Sequence, residues 1–235
     1  MRKLKTALFA TAALFAATSA MAQSTPAATD CSAGGRPLCE INPNINSTQV
    51  NGRLDVLSDV RVVVPTVEGK VDISSTAVGN NFSLDTKSDV GNINVGQNNQ
   101  SDIVANLNVN IDTATSAVLN ATAVANNTSL KFRSADNINN TQVAGTMPTP
   151  PAPNPPRIDP TARVNVAVGE INDTLDVNAT AVVNNFAVEG KMANLNSNQS
   201  AFNQPVHALV NVSATKVGEL KVAGTAVGNN ISIKF

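Results

Sequence analysis

The chain has 235 residues and a net charge of −1, and 42% of its residues are hydrophobic but only 3% are aromatic. With seven Phe, no Trp and no Tyr, a thick core of large side chains is excluded, so Val, Ile, Leu and Ala must pack in thin stacked layers. Because the chain has neither a basic excess nor a basic cluster, we expect no nucleic-acid partner.

Residues 1–22 have the three regions of an export signal. A basic start precedes an apolar core at residues 7–17, and Ala20-Met21-Ala22 is a small-x-small cleavage site. We therefore predict cleavage after Ala22, which leaves an exported chain with a net charge of about −4. No later segment reaches the roughly 18 apolar residues that span a bilayer as a helix, so we expect no transmembrane segment.

Residues 23–40 form a short N-terminal segment that contains both cysteines of the chain, Cys31 and Cys39. An exported chain meets an oxidising compartment, so we predict a disulfide that closes the Gly- and Pro-containing loop between them. Two thiols and a lone histidine, His207, cannot complete a tetrahedral shell, and we expect no metal site.

From residue 41 onward, the phrase Thr-Ala-Val-x-Asn-Asn occurs four times, and copies followed by Phe alternate with copies followed by a Lys-Phe ending. With a second repeated phrase around Gln, this pattern predicts two tandem halves, residues 41–133 and 134–235, each made of two subrepeats. We interpret each Asn-Asn pair as a tight corner between strands, because Asn tolerates left-handed dihedrals and binds nearby backbone. The predicted corner residues are Asn80, Asn81, Asn126, Asn127, Asn184, Asn185, Asn229 and Asn230.

A proline-rich run at residues 147–160 interrupts the repeats. It holds seven of the twelve prolines, so it must be extended and lie outside any sheet. Such a run is often a linker between domains. Its place inside the second half, and the long spacing from Gln142 to the next Thr-Ala-Val, favour instead a loop inserted into one subrepeat.

Alternating apolar and polar residues, as at 105–111 and 164–168, predict strands throughout, and no helical period appears after the signal. The predicted fold is all-β. We favour a β-solenoid built from the tandem duplication, in which each subrepeat forms two coils of roughly 20 to 25 residues. Amide side chains would then form ladders along the stack, and the candidates are Gln49, Gln100, Gln142 and Gln199. The alternative is two β-sandwich-like domains with Asn-Asn hairpins.

Residues with catalytic chemistry do not recur at the repeated positions. No serine lies in a nucleophile-elbow phrase, no glycine loop has the pattern that holds phosphate, and the acidic residues are scattered. We therefore expect that the protein is not an enzyme and that it has neither catalytic residues nor a cofactor.

One segment is similar to a known group of proteins. It reads Gly91-Asn92-Ile93-Asn94-Val95-Gly96-Gln97-Asn98-Asn99-Gln100, with Val78-Gly79-Asn80-Asn81 before it. It resembles the bacterial curlin-like surface-fibre proteins, and the alternation is also similar to that of the holdfast-anchoring surface proteins of stalked alphaproteobacteria. The resemblance implies strand-Gly-Asn-strand coils with internal Gln and Asn ladders, and secretion through a curli-type pore.

These observations predict a secreted or outer-surface bacterial protein that acts in adhesion, as a curli-like fibre subunit or a holdfast anchor. It would act by edge-to-edge addition of strands to its terminal coils. Its partners would be copies of itself, other surface-assembly proteins or a polysaccharide. The alternative is a soluble periplasmic or secreted module in which the proline loop or the Asn-rich face binds a glycan or a protein. A hydrolase is the third hypothesis.

Overall fold

The computed structural model describes residues 8–15, 23–25, 43–52, 55–145, 160–202 and 205–235. These residues form eight strands and no helix: β1 (Leu8–Phe15), β2 (Gln23–Thr25), β3 (Asn44–Asn51), β4 (Val56–Asp85), β5 (Asp89–Asn99), β6 (Ile103–Ala144), β7 (Thr161–Ala201) and β8 (His207–Lys234). The prediction of an all-β fold is confirmed for this part of the chain. It contains no helix long and apolar enough to cross a membrane.

The strands β3 to β8 stack in parallel as four layers. Layer 1 consists of β3 and β4, and layer 2 consists of β5 and residues 103–131 of β6. Layer 3 consists of residues 134–144 of β6 and 161–189 of β7. Layer 4 consists of residues 191–201 of β7 and all of β8. Each layer therefore takes up one complete subrepeat.

The register shows how the layers match. Val60 pairs with Leu107, Leu107 pairs with Val164, and Val164 pairs with Val210. Each residue therefore lies beside its equivalent in the next subrepeat, and we call such a set of aligned residues a column. The expectation of two coils within each subrepeat is wrong, because the chain needs the whole subrepeat to complete one layer.

Two hydrophobic clusters inside each layer explain why one layer takes so much chain. The larger cluster contains Leu107, Leu119 and Leu175, and it follows β4, β6 and β7 through the stack. The smaller cluster contains Ile93 and Phe186, among others, and it joins β5 to the segments that follow the Asn-Asn phrases. Most members are Val, Ile, Leu or Ala, as the composition of the chain requires.

The Asn-Asn phrases lie within continuous strands, and they pair in parallel with one another across the layers. A hairpin at these positions would have made the local pairing antiparallel. In β6 the buried side chains occupy odd positions from Ala117 to Ala125 and even positions from Asn126 to Phe132. Two consecutive residues therefore face inward, which is the effect of a local bend in a strand rather than of a loop.

The predicted boundary between the halves, at 133/134, falls inside β6. The halves pair with each other through β6 and β7, in the same parallel sense that joins the subrepeats within each half. The chain passes from layer 3 to layer 4 at Gly190, whose φ of 146° lies in the region that favours glycine. An added Cβ there would also lie only 2.4 Å from the carbonyl oxygen of Phe132.

The proline-rich run lies outside the described residues, apart from Pro160. The residues on either side of it both belong to layer 3: Ala144 pairs with Ala201, and Thr161 pairs with His207. The corresponding strands of the other layers are joined by short segments, residues 52–55, 100–102 and 202–206. This register supports an insertion into one layer, rather than a linker between two domains.

Deletion of residues 147–159 tests the insertion. It leaves Gly145, Thr146 and Pro160, a connection as long as residues 100–102. A shorter connection costs less closure entropy, so we expect the free energy of unfolding to rise by no more than about 1.5 kcal/mol. Urea unfolding followed by circular dichroism measures the change. As a control, deletion of residues 103–115, which removes paired strand from β6, should abolish the transition. Two separate unfolding transitions in the 147–159 deletion would contradict the insertion.

Candidate functional site

A ladder of glutamines, buried in layers 1 to 3 and half-buried in layer 4, runs through the stack. Gln97 Nε2 donates to Gln49 Oε1 at 2.7 Å, and Gln142 donates to Gln97 at 2.9 Å. Gln199 Nε2 donates to Gln142 Oε1 at 2.6 Å. Gln97, Gln142 and Gln199 thus each donate to the layer before their own.

The structure places three of the four predicted ladder residues in this ladder, but not Gln100. Gln100 follows the end of β5, where its backbone N–H donates to the carbonyl of Asn51 at 2.9 Å. Gln97 occupies the ladder position instead. The prediction was misled by the likeness of residues 98–101, Asn-Asn-Gln-Ser, to residues 197–200, Ser-Asn-Gln-Ser. The register of β5 is set instead by pairs such as Ile93 with Ile138, which bury apolar side chains.

Each ladder glutamine also crosses its own layer. Gln97 Nε2 donates to the backbone carbonyl of Asn127 at 2.8 Å, so one amide proton serves the ladder and the other serves the layer. The equivalent bonds join Gln49 to Asn81, Gln142 to Asn185 and Gln199 to Asn230. The glutamines therefore hold the layers together and also fix the width of each layer.

The first asparagine of each repeat phrase forms a second ladder, which runs in the opposite direction. Asn80 Nδ2 donates to Asn126 at 2.8 Å, Asn126 to Asn184 at 2.8 Å and Asn184 to Asn229 at 2.7 Å. Each amide here donates to the layer after its own. Asn80, Asn126 and Asn184 are almost fully buried.

The second asparagine of each phrase forms a third ladder, nearer to the surface, which donates toward layer 1. Its bonds run from Asn127 to Asn81, from Asn185 to Asn127 and from Asn230 to Asn185. All eight asparagines predicted as corners therefore lie in ladders, and their side chains bind their equivalents in the neighbouring layers. The sequence predicts instead that these side chains bind nearby backbone, because the sequence alone does not show which copies of the phrase lie side by side.

Charge alternates along one column of the stack. Asp85, Lys131, Glu189 and Lys234 are aligned from layer 1 to layer 4. Lys234 Nζ lies 3.0 Å from Glu189 and Lys131 Nζ lies 3.9 Å from it. The hydrogen bond from Lys234, followed by the charges of Lys131 and Lys234, lowers the pKa of the Glu189 carboxyl. The alternation of the two kinds of repeat phrase thus places opposite charges in adjacent layers.

A second ion pair joins layers 2 and 3. Asp89 accepts hydrogen bonds from the Arg133 guanidinium and the Ser134 hydroxyl. These bonds, the larger of them from Arg133, lower the pKa of Asp89 to about 2. Asp89 is therefore ionised over nearly the whole pH range in which the protein can be studied.

Layer 4 is an open end of the stack. Among the described strands, β8 pairs with β7 alone. Leu220 and Val222 of β8 are each 50% exposed, whereas their partners in layer 3, Leu175 and Val177, are fully buried. Ile231, Ile233 and Phe235 are exposed at the same end. The apolar columns of the core therefore continue to a surface that no described strand covers.

An open groove of about 740 Å³ crosses the layers elsewhere on the surface. It lies beside a short ladder in which Asn211 donates to Asn165, and Asn165 donates to Asn108, each at 2.9 Å. The exposed Val63 and Ala167 also line it. The groove thus combines an apolar surface with a row of amides.

Several predicted features receive no structural description. Cys31 and Cys39 lie outside the described residues, so their disulfide stays a prediction. Within the part of the chain that the structure describes, no group of three or more His, Cys, Asp or Glu side chains could hold a metal ion.

Comparison with known protein families identifies the family of the chain. The family of holdfast attachment protein D, HfaD, matches residues 16–234, which include all of the strands β3 to β8. The chain belongs to this family. Membership confirms the predicted relation to holdfast proteins, and it implies a function in holdfast attachment in bacteria, at the cell surface or envelope. The resemblance to curlin-like proteins stays a prediction. No curated protein and no solved structure matches the chain.

Replacement of a ladder glutamine should destabilise this HfaD-family stack. Gln142→Leu removes the bonds to Gln97, Asn185 and Gln199, and buried groups left without partners cost about 1–3 kcal/mol. The matched control is Gln100→Leu, outside the ladder, which should change the free energy of unfolding by no more than about 0.5 kcal/mol. Chemical denaturation measures both variants. Equal losses in the two would contradict the assignment of Gln97 to the ladder in place of Gln100.

The pair of Asp89 and Arg133 should make stability depend on pH. The pKa of Asp89 is lower in the folded state than its ordinary value of 3.8, so the pair stabilises the protein fully above about pH 4. That contribution is lost as the pH falls toward 2. Urea midpoints should therefore differ between the natural chain and Asp89→Asn at neutral pH and converge near pH 2. An undiminished difference at pH 2 would show that the carboxylate is not the source.

Proposed function

We propose that this chain is a non-enzymatic structural component of holdfast attachment, and that it acts at the outer cell surface through the open end at layer 4. The family match supports the holdfast function. The observation that carries the mode of action is the exposure of core columns in layer 4, where Leu220 and Val222 are half exposed although their partners in layer 3 are buried.

The four layers are, in this proposal, the coils of a β-solenoid. Parallel pairing between successive subrepeats supports this architecture, as do the amide ladders that follow the stack. In a pair of β-sandwiches the strands would pair mostly in antiparallel fashion, with hairpins between them. Parallel stacking also gives the protein two different ends.

The open end favours addition of another β edge. The outer edge of β8 presents backbone N–H and C=O groups that can pair with a further strand. Exposed apolar side chains beside them gain roughly 25 cal/mol for each Å² that a partner removes from water. A partner that supplies a strand edge would pair with the backbone of β8 and cover these apolar side chains at the same time. Copies of the chain or other surface-assembly proteins are therefore the expected partners.

Polysaccharide binding along the groove is a second candidate function. Asn108, Asn165 and Asn211 form a row with a spacing of about 4.8 Å, the distance between paired strands. Amides in such a row can donate to and accept from sugar hydroxyls, while the exposed Val63 and Ala167 can pack against apolar sugar faces. A soluble periplasmic or secreted module would use this surface rather than layer 4.

Lysines at the open end test the proposed function in a bacterium that carries the protein. Ile231→Lys with Ile233→Lys charges the exposed apolar columns, and cells with this double variant should lose adhesion because a strand edge can no longer cover them. Adhesion is measured as retention of cells on glass under flow, with antibody labelling to confirm that the protein reaches the surface.

The matched control is Ser232→Lys, between the two isoleucines and on the outer face, which should leave adhesion unchanged. Normal adhesion of the double variant at normal surface levels would contradict the use of layer 4. If adhesion is lost instead in an Asn108→Ala, Asn165→Ala variant, the groove is the binding site.

A further inference from the structure

We propose that the strand edge added to layer 4 is layer 1 of a second copy of this chain, joined head to tail with every column continued. The inference rests on the proposed function and names its partner. In this arrangement Gln199 lies beside Gln49 of the next copy, and Asn229 lies beside Asn80 of the next copy. The stack then grows by four layers with each added copy.

The first observation concerns two buried oxygen atoms at opposite ends of the stack. Among the described residues, no donor reaches Asn80 Oδ1 in layer 1 or Gln199 Oε1 in layer 4. Their equivalents in the inner layers accept from a neighbouring amide of the same ladder. Because the two ladders run in opposite directions, one lacks a donor at the start of the stack and the other lacks a donor at its end.

The second observation is that the missing donors are available at the other end of the same molecule. Asn126 uses its amide for both Val143 O and Asn184 Oδ1, whereas Asn229 has only the carbonyl of Gln199 among the described residues, at 3.3 Å. The remaining proton of Asn229 would reach Asn80 Oδ1 of the next copy.

The glutamine ladder gives the same result in the reverse direction. Gln97 donates to both Gln49 and Asn127, whereas Gln49 donates to Asn81 alone among the described residues. The remaining proton of Gln49 would reach Gln199 Oε1 of the preceding copy. A head-to-tail joint therefore completes both ladders at once, while an unrelated strand edge would have to match both by chance.

Charge supports the same register. The charges in the column of Asp85, Lys131, Glu189 and Lys234 alternate in sign. The residue that continues this column beyond Lys234 should therefore be acidic, and in a head-to-tail joint that residue is Asp85 of the next copy. Another column begins at Asp72 and ends at Lys221, which also places opposite charges across the joint. Two copies joined by their equal ends would instead bring like charges together.

Side-chain size also continues across the joint. The column that begins with Phe82 runs through Thr128, Phe186 and Ile231. Phenylalanine thus alternates with a smaller side chain, and Phe82 of the next copy would follow Ile231. The two kinds of repeat phrase therefore alternate without a break from one copy to the next.

The edge of layer 1 accepts a parallel strand in the structure itself. β1 pairs in parallel with residues 71–78 of β4, and Leu8 lies beside Val71, the position that Leu220 of a preceding copy would take. β1 falls within the predicted export signal, so cleavage after Ala22 would free this edge. β2 pairs only with Asn44–Asn46 and has to give way at the joint. Head-to-tail addition would thus begin only after export.

Cross-linking between two exposed positions tests the joint. Ser232 ends a column that begins at Ser83, so Ser232 of one copy should lie beside Ser83 of the next. Exported chains that begin at Gln23 are made with Ser83→Cys or Ser232→Cys, each with a different affinity tag and with Cys31→Ser and Cys39→Ser. The two are mixed and treated with a short bis-maleimide.

We expect dimers that carry both tags. The control replaces Ser232→Cys by Ser213→Cys, which is also exposed on β8 but lies in another column, and no such dimers should form with it. Retention of residues 1–22 should also prevent them. Dimers between copies of the same variant, dimers with Ser213→Cys, or the absence of any dimer would overturn the proposal. If no dimer forms and Ile231→Lys with Ile233→Lys still abolishes adhesion, the proposed function stands and the partner is another protein.

Discussion

The whole structure depends on the in-register stacking of buried amides from one layer to the next. An amide in the interior must find both donors and acceptors, and here it finds them in the equivalent residue of the neighbouring layer. A slip of one residue would turn Gln97 and Ile93 toward the solvent together, since both lie on the inward face of β5. The ladders therefore hold the register that the apolar columns also require.

This constraint accounts for the thin core. Aromatic residues are scarce, and the two clusters in each layer are filled mainly by Val, Ile, Leu and Ala, which stack on similar residues above and below. A segment that joins two strands of one layer does not take part in the columns. The long run between Ala144 and Thr161 can therefore coexist with the same pairing on both sides of it.

Stacking in one direction also makes the two ends of the molecule different. Ladders that donate forward and ladders that donate backward each end in an incomplete amide, and the alternation of Asp85, Lys131, Glu189 and Lys234 ends in opposite charges. In the ladders of Gln97 and Asn126, the inner residues have ladder partners in both neighbouring layers, and the terminal residues do not. The chain belongs to the HfaD family, whose function is holdfast attachment, and our proposal assigns that attachment to the ends of the stack.

Local features of the sequence were enough to predict strands, the repeated phrases and a holdfast-related family, and they also predict an insertion at the proline-rich run. Period-two alternation, Asn-Asn phrases and prolines act within a few residues, so they can be recognised without a partner strand. Gln97 rather than Gln100, one layer for each subrepeat, and the directions of the ladders came only from the tertiary structure. Those features depend on which residues of successive layers lie side by side, and the packing of the entire layer decides that alignment.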